Sequence, residues 1–386
     1  MKINKAYKFR IYPTKSQIRY IEGCFNACRY VYNVSLNCEE QLYSMGANSN
    51  LTKFGLSYHL KYYKISEPWL NEYDSVALIY EMENLNSAYS KFFKGGGFPK
   101  YKSKFDTKQS FKTRQHIKLL DNHIKIPKVK TPIFCKIHRE VEGVVKQMTI
   151  SRDNKKYFVS IMCEINKEIK PIKNVKKEVG IDLGVKTFIT KNNGTKIDLP
   201  KKLEEELIEL ESYKKRLQQI FSKKKKVSKN RNKIKNKIND VSKKIQYKRE
   251  LFLHETSTEL VKKYDRIYME DLNVKSMTKS VKGTIESPGV GVKQKSNLNR
   301  QILSNSFHKF KTMMEYKSKF NGKELVKIGK FFPSSKTCNS CGYKNESLML
   351  EERNWVCPKC NTKHDRDINA AKNILKEGRK ILINKK

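Results

Sequence analysis

The chain has 386 residues, enough for two or three domains of about 100–200 residues each. Its 82 Lys and Arg outnumber 39 Asp and Glu, which gives a formal net charge of +43, and 20 Tyr and 18 Phe accompany them. Such an excess of like charge destabilises a compact protein unless a polyanion relieves it, and aromatic rings stack on bases. We therefore expect nucleic acid as the partner and no membrane, since no apolar run approaches the ~20 residues of a transmembrane helix.

The amino terminus and the cysteines indicate the compartment. MKINKAYKFRIYP lacks the apolar segment of a signal peptide, so we expect a cytoplasmic protein. Four of the nine cysteines form a motif described below. We expect the other five to be free thiols, because a reducing compartment disfavours disulfides. They are Cys24, Cys28, Cys38, Cys135 and Cys163.

The first half of the chain combines a β module with helices. Residues 3–12 alternate apolar and basic side chains, as in a strand that ends at Pro13, and short strands recur between 98 and 167. Helical periodicity lies between these two regions, at about 14–42, 55–63 and 76–94. The pattern predicts an antiparallel, barrel-like β module interrupted by a helical insertion. Residues 168–177 resemble a linker.

The second half alternates strands and helices. An apolar strand contains Asp182, and Asn193-Gly194 predicts a hairpin after it. Two apolar stripes predict a helical hairpin over 201–263, whose middle is the most basic run of the chain. We favour a polyanion contact for that run over a merely solvated tip. The remaining expectations are a strand at 266–270, a mobile loop at 273–297, an amphipathic helix at 297–320, a strand at 325–328 and a basic final helix.

Two Cys-x-x-Cys pairs near the carboxyl terminus predict a metal site. Cys338 and Cys341 are separated from Cys357 and Cys360 by fifteen residues, which is the spacing of a zinc site. Four thiolates close a tetrahedron around one Zn²⁺ and leave no open position, so the site would be structural. We expect His364 to be a local hydrogen-bond partner and not a ligand.

Three acids lie on two strands and a helix, and the order of these elements along the chain predicts that the acids come together. Asp182 lies in the first apolar strand, Glu270 ends a later strand and Asp367 begins the last helix. This order of strands and helices is that of an RNase H-like fold, in which the three carboxylates converge. Asp271 and Asp365 remain alternatives to Glu270 and Asp367, and Asp365 is also a candidate helix cap.

Three carboxylates suit phosphodiester hydrolysis. Two Mg²⁺ ions about 3.5–4 Å apart stabilise the attacking and leaving oxygens, and Mg²⁺ prefers carboxylate oxygen and water as ligands. Together with the charge, the acids indicate a basic, zinc-containing, two-metal nuclease.

The same residues resemble the TnpB family, RNA-guided DNA endonucleases encoded by bacterial insertion sequences and related to type V CRISPR effectors. The resemblance is carried by Gly180-Ile-Asp-Leu-Gly184, by Met269-Glu-Asp-Leu-Asn273, by FPSSKTCNSCG from Phe332 and by WVCPKCNTKHDRDINAAKNI from Trp355. It extends to Tyr7–Pro13 and to the order of modules over nearly the whole chain. It implies that Asp182, Glu270 and Asp367 are the catalytic, magnesium-binding acids of a RuvC-type site.

The resemblance also implies a domain organisation and partners. The fold class is α+β multidomain: a β-barrel-like wedge module, a helical recognition insertion and an RNase H-like (RuvC) α/β domain with an inserted four-cysteine zinc ribbon. The expected partners are a guide RNA from the transposon end and double-stranded target DNA with a short adjacent motif, so the protein would be nucleoid-associated when bound to DNA. The modules are the wedge at 1–12 and 95–170, the insertion at 13–94, the nuclease domain at 175–332 and 362–386, and the ribbon at 333–361.

Three other functions compete with RNA-guided cleavage. A nuclease-derived RNA-guided repressor would bind DNA without cutting, but it would not need the complete acidic triad. A zinc-ribbon DNA-binding accessory protein of the transposon leaves the acids and the basic first half unexplained. A transposase performing strand transfer would use similar acids, but the ribbon before the last acid argues against it.

Overall fold

The computed structural model describes residues 2–47, 53–169, 172, 174–284, 286–349 and 351–384. The predicted linker 168–177 lies partly outside these residues. Within them the chain divides into two units, Met1–Glu168 and Ile169–Lys386. The described part contains no helix long and apolar enough to cross a membrane.

The first unit is built on a seven-stranded antiparallel sheet. Its strands are β1 (Lys2–Tyr12), β2 (Lys108–Thr113), β3 (Lys118–Leu120), β4 (His123–Lys125), β5 (Ile133–Lys136), β6 (Val144–Asp153) and β7 (Lys156–Asn166), in the order β2-β6-β7-β1-β5-β4-β3. Strand β1 is the central strand of this sheet. The alternation that predicts a strand at 3–12 is present as alternating burial: Tyr7, Phe9 and Ile11 are buried and the residues between them are not.

Three α-helices interrupt this sheet between β1 and β2. They are α1 (Lys15–Ser44), α2 (Lys53–Ser66) and α3 (Ser75–Phe92). Helix α1 begins with a capping box, in which Thr14 and Gln17 each bond the other's backbone N–H. Cys24, Cys28, Cys135 and Cys163 are buried free thiols, as expected.

The second unit contains a five-stranded mixed sheet flanked by helices. The strands are β8 (Glu178–Leu183), β9 (Ile189–Lys191), β10 (Lys196–Ile197), β11 (Arg266–Glu270) and β12 (Glu324–Ile328), in the order β10-β9-β8-β11-β12. Strands β8, β11 and β12 are parallel, whereas β9 is antiparallel to β8 and to β10. The acid-bearing strand β8 lies at the centre of this sheet, and the second acid-bearing strand, β11, pairs beside it.

The helices of this unit are α4 (Lys201–Ser222), α5 (Lys229–Lys263), α6 (Val274–Met277), α7 (Val292–Asn305), α8 (Phe307–Phe320) and α9 (Arg366–Ile383). Helices α4 and α5 form the predicted hairpin. The single helix predicted over 297–320 is wrong: Ser306 adopts a left-handed conformation (φ 54°, ψ 39°) and separates α7 from α8. The predicted loop 273–297 is correspondingly shorter, because α6 and the start of α7 lie within it.

A small two-stranded sheet precedes α9. Its strands are β13 (Asn354–Val356) and β14 (Lys363–Asp365), which pair antiparallel and flank the second cysteine pair. Trp355, Leu348, Cys338 and Cys357 form the buried centre of this segment.

Candidate active site and metal centre

Asp182 and Glu270 lie side by side at the carboxyl ends of neighbouring strands. Strands β8 and β11 are parallel, and Ile181 pairs with Met269, so the next residue of each strand is an acid. Carboxyl ends of adjacent parallel strands meet at one edge of the sheet. The register itself therefore brings two of the three predicted acids together.

Helix α9 brings the third acid to the same edge. It packs against β8 closely enough that a Cβ on Gly180 would lie 2.3 Å from the Ala371 carbonyl oxygen. A Cβ added to Gly378 of the helix would likewise lie 2.1 Å from the Tyr268 ring in β11. Glycine at both positions thus permits a close helix–sheet approach, and Asp367 stands in the first turn of this helix.

The electrostatics agree with a grouping of the three carboxylates. Burial, together with the charges of Glu270 and Asp367, raises the pKa of the Asp182 carboxyl to about 7, against smaller opposing effects of a backbone hydrogen bond from Leu183 and of Arg366. Burial also raises the pKa of Glu270, although a hydrogen bond from Ser334 opposes that rise. Concentrating carboxylates in a buried place is unfavourable without a cation, and this is typical of functional sites.

Buried amides of α9 hold the segment that supports Glu270. Ser334 donates its hydroxyl hydrogen to Glu270, and the Asn373 amide donates to the backbone oxygens of Ser334 (2.8 Å) and Thr337 (2.6 Å). Asn369, which is 1% exposed, donates to Thr337 O at 2.8 Å. The segment that begins at Phe332 is therefore anchored to the same helix that carries Asp367.

Asp367 itself is held by an arginine. Arg353 Nη1 donates to both carboxylate oxygens of Asp367, at 3.0 and 3.2 Å. Arg353 directly precedes β13, and its backbone oxygen accepts from the Arg366 N–H at 2.7 Å. The segment between the cysteine pairs is thereby connected to the third acid.

The two alternative acids have other partners. Asp365 is the N-cap of α9 and accepts from the N–H groups of Asp367 and Ile368, each at 3.0 Å. Burial favours a higher pKa of Asp365, but these N–H groups and Lys196 together stabilise its charge more strongly. The pKa of Asp365 is therefore lowered. Asp271 forms an ion pair with Lys311, which lowers its pKa. Neither acid is among the largest influences on the pKa of Asp182.

The four predicted cysteines form one cluster. The sulfur atoms of Cys338, Cys341, Cys357 and Cys360 all lie within 4.8 Å of one another. The distances Cys338–Cys360 and Cys341–Cys357 are 3.6 Å, whereas a disulfide bond is about 2.05 Å long. Zn–S bonds of about 2.3 Å place tetrahedral ligands about 3.8 Å apart. The thiolates therefore fit one Zn²⁺, and the described residues contain no other group of three or more potential ligands this close together.

His364 lies beside this cluster, as a second layer around it. Its Nε2 is 3.1 Å from Cys338 Sγ, and its ring packs on Trp355 at a centroid distance of 4.8 Å. Burial, aided by the charge of Lys372, lowers the pKa of His364. A ring nitrogen that bonds a ligating sulfur orients that sulfur.

A basic, aromatic groove begins next to the carboxylates. This open groove, of about 1110 Å³, starts at Asp271 and is lined by Lys275, Lys311, Lys327 and Lys330. Phe331 on its wall is 87% exposed. Lysines beside an exposed ring suit a single nucleic-acid strand, because they offer phosphate contacts and a stacking surface.

Three supporting residues were not predicted from the sequence: Arg353, Ser334 and Asn373. Arg353 stands among charged neighbours in a loop and gives no periodic signal. Asn373 gives a weak one, since a buried asparagine on the apolar face of a helix needs a hydrogen-bond partner.

The fold and the two sites define a mixed α/β multidomain protein in which a carboxylate site on a parallel sheet edge is joined to a four-cysteine ribbon. Relatives extend over the whole chain. A "Putative RNA-guided DNA endonuclease" of Streptomyces pristinaespiralis is 33% identical over 97% of this chain and 90% of the relative. A second, InsQ of Escherichia coli (strain K12), carries the same description and is 30% identical over 99% of this chain and 94% of its own length. The chain belongs to the TnpB family.

Family models and a solved structure agree with this assignment. Residues 160–281 match a model described as "Probable transposase", residues 307–374 the TNB domain of Cas12f1-like proteins, and residues 1–47 a "Helix-turn-helix domain". Over residues 2–47 the structure has one strand, β1, and one long helix, α1. A Cas12f1–sgRNA–target DNA complex has a chain of the same fold, with TM-score 0.60 and 16% identity over 97% of this chain and 98% of that one.

Proposed function

We propose that this protein is an RNA-guided DNA endonuclease encoded by a transposable element. The observation that carries the proposal is the convergence of Asp182, Glu270 and Asp367 at one edge of the sheet of the second unit. The descriptions of the two relatives that align over nearly the full chain support the guided activity. Catalytic roles for these three acids are part of the proposal.

The three carboxylates would hold two Mg²⁺ ions, which supply Lewis-acid stabilisation of the attacking and leaving oxygens. The chain's own contribution is to place and orient the carboxylates. Ser334 fixes Glu270, and Asp365 caps the helix that presents Asp367. Burial of Asp182 favours a bound cation over solvent, since an isolated buried carboxylate otherwise takes up a proton.

Guide RNA and target DNA would be held largely through their phosphates. The tip of the α4–α5 hairpin, residues 223–237, contains eight Lys and one Arg and no acid. Its shape is fixed by Arg231, whose guanidinium lies 3.9 Å from the Phe221 ring centroid and donates to Lys224 O at 2.7 Å. Such a tip suits backbone recognition, whereas base pairing with the guide supplies sequence specificity. The groove at Asp271–Phe332 would take the strand to be cut.

The ribbon has a structural part in this proposal. Zn²⁺ bound by four thiolates has no open position for a substrate. Its part is to fix the segments that carry Ser334 and Arg353, and thus the surroundings of Glu270 and Asp367. The module boundaries derived from the sequence (wedge 1–12 and 95–170, insertion 13–94, nuclease 175–332 and 362–386, ribbon 333–361) are proposed on the same basis.

Purification with co-bound nucleic acid tests the proposal. We expect one RNA species to copurify, and we expect the protein to cut a plasmid that carries a sequence matching it in Mg²⁺ but not in EDTA. Purification without RNA would contradict guided recognition. Bound RNA without cutting would favour the repressor alternative.

A further inference from the structure

A second concave site lies in the first unit, where the ends of α1 and α3 meet. It has a volume of about 280 Å³ and is lined by two acids and five aromatic residues. They are Glu39, Glu40, Tyr43, Tyr89, Phe92, Phe93 and Phe98. We call it the Glu39 pocket. It belongs to neither of the sites described above.

The walls of the Glu39 pocket are aromatic rings in fixed contact. The Phe98 ring stands nearly perpendicular to those of Tyr89 (89°, 5.8 Å between centroids) and Phe92 (83°, 5.2 Å). At the rim, Phe93 is 71% exposed and Tyr43 is 86% exposed. Exposed apolar rings grouped around a cavity indicate a binding site, since scattered surface aromatics would not converge in this way.

One carboxylate in the pocket has no partner. Glu39 is 3% exposed, and neither of its carboxylate oxygens has a hydrogen-bond donor among the described residues. Glu40 differs, because it accepts from the Tyr101 hydroxyl at 2.5 Å. Burying a carboxyl group without a hydrogen-bond partner is costly, so a ligand that brings donors to the Glu39 oxygens would bind more favourably than it would to an apolar wall.

Two kinds of ligand suit such a pocket. A cation has a charge suited to the acids, and a nucleobase has a ring suited to the aromatic walls. Five lysines and no acid lie between Lys91 and Lys104, and the whole chain carries +43. This field repels a cation and attracts the phosphates of a nucleic acid. A base has π-faces to pack on the rings and an edge that presents donors, which is how proteins read unpaired bases.

We propose that the Glu39 pocket receives one unpaired guanine base of the bound nucleic acid, whose N1–H and N2–H donate to the two oxygens of Glu39. Guanine is the base whose pairing edge offers two adjacent donors to one carboxylate. Uracil and thymine offer a single N–H between two oxygens, which a carboxylate repels. The proposal rests on nucleic acid being the partner, but it does not depend on cleavage.

Anisotropy titrations in EDTA with the full chain test this base preference. The probes are a fluorescent dT decamer, the same decamer with one central dG, and the corresponding pair of RNA decamers. We expect the guanine-containing probe of at least one pair to bind about tenfold more tightly, which is near the lower end of the range for a bidentate base contact. The pair with the larger difference identifies the strand chemistry, and equal affinities within both pairs would overturn the proposal.

The variant Glu39→Gln separates the base contact from folding. Its amide places a donor against a donor of guanine, so we expect it to lose the tenfold difference and keep the affinity for the dT decamer. Because it removes a buried carboxyl group that has no hydrogen-bond partner, its melting temperature should equal or exceed that of the parent. The control Phe105→Ala, an exposed ring outside the pocket, should keep the difference. A retained preference in Glu39→Gln would overturn the proposal.

Competition distinguishes the base from a cationic side chain. We expect guanosine monophosphate to remove the guanine preference, and uridine monophosphate and arginine methyl ester to leave it intact at the same concentration. If arginine methyl ester alone competes, the pocket accepts a cation and the proposal is wrong. The proposed nuclease function is tested separately, by cleavage of a matched plasmid. A negative result for the Glu39 pocket therefore does not contradict that function.

Discussion

Arg353 is bonded through one nitrogen to both carboxylate oxygens of Asp367, at 3.0 and 3.2 Å. This contact joins the segment between the two cysteine pairs to the third acid of the carboxylate site. It also places a permanent positive charge where, on the proposed function, a divalent ion binds.

Replacing Arg353 with Gln should strengthen divalent-ion binding, because it removes a cation that competes for Asp367. Exposed ion pairs contribute about 0.2–1 kcal/mol, so we expect a roughly 1.4- to 5-fold lower dissociation constant for Mn²⁺, measured by paramagnetic resonance titration. Arg379→Gln is the matched control, since Arg379 bonds Glu178 at the opposite end of β8. Weaker Mn²⁺ binding by Arg353→Gln alone would mean that this arginine helps to form the ion site.

Gly180→Ala should separate the helix from the sheet. The new Cβ would lie 2.3 Å from the Ala371 carbonyl oxygen and 2.8 Å from Leu375 Cβ, so α9 must shift and Asp367 with it. Overpacking of this kind costs about 1–3 kcal/mol, and we expect a lower denaturation midpoint together with a large loss of cleavage. Gly97→Ala has no atom within 4 Å of its new Cβ and should change neither. Equal behaviour of the two variants would show that α9 does not pack on Gly180.

The stability of the metal-free protein should depend on the ionisation of Asp182. Its folded-state pKa of about 7 lies above the ordinary value because of burial and two neighbouring carboxylates. A raised folded pKa stabilises the folded state fully below about pH 4, and this contribution is lost as the pH rises to about 7.

Thermal melts in EDTA check this dependence. We expect Asp182→Asn to melt above the parent, by a margin that grows from about pH 4 to about pH 7 and then levels off. Excess Mg²⁺ should raise the parent's melting temperature most at the upper end of that range, where the carboxylates are charged. Parallel melting curves for parent and variant across the range would contradict the raised pKa.

Zinc content should depend on the four clustered cysteines alone. Cys357→Ser removes one of four thiolates, so we expect bound zinc to fall well below about one per chain in an elemental assay. Cys38→Ser, outside the cluster, should leave it unchanged. His364→Ala should retain the ion, because His364 contacts a ligating sulfur and is not needed to complete the tetrahedron. Loss of zinc from His364→Ala, with retention in Cys357→Ser, would reverse these roles.

The sequence predicted the frame of the second unit well. The apolar strands that end in Asp182 and Glu270, the Asn193-Gly194 turn and the helical hairpin all carry strong local patterns, and each is present in the structure. The order of these elements predicts that Asp182 and Glu270 lie at one edge of the sheet, and the parallel register of β8 and β11 places them side by side there.

What the sequence did not show depends on long-range contacts. The break at Ser306 is invisible in the apolar stripe of 297–320, since the stripe continues on both sides and a left-handed serine has no sequence signature. Arg353, Ser334 and Asn373 act across the fold, so their roles appear only once their partners are placed. The Glu39 pocket is a similar case: its rings come from two helices and a loop, each of which alone reads as ordinary core.

The measurement that bears most directly on the proposed nuclease is plasmid cleavage by Asp182→Ala loaded with its own copurified RNA. We expect the rate on a matched plasmid in Mg²⁺ to fall roughly a thousandfold or more, since losing ~4 kcal/mol of transition-state stabilisation has that effect. The amount of bound RNA should not change, and Asp271→Asn, whose carboxylate pairs with Lys311 in the groove, should lose far less cleavage than Asp182→Ala. Cleavage by Asp182→Ala at the parent's rate would contradict the three-carboxylate site.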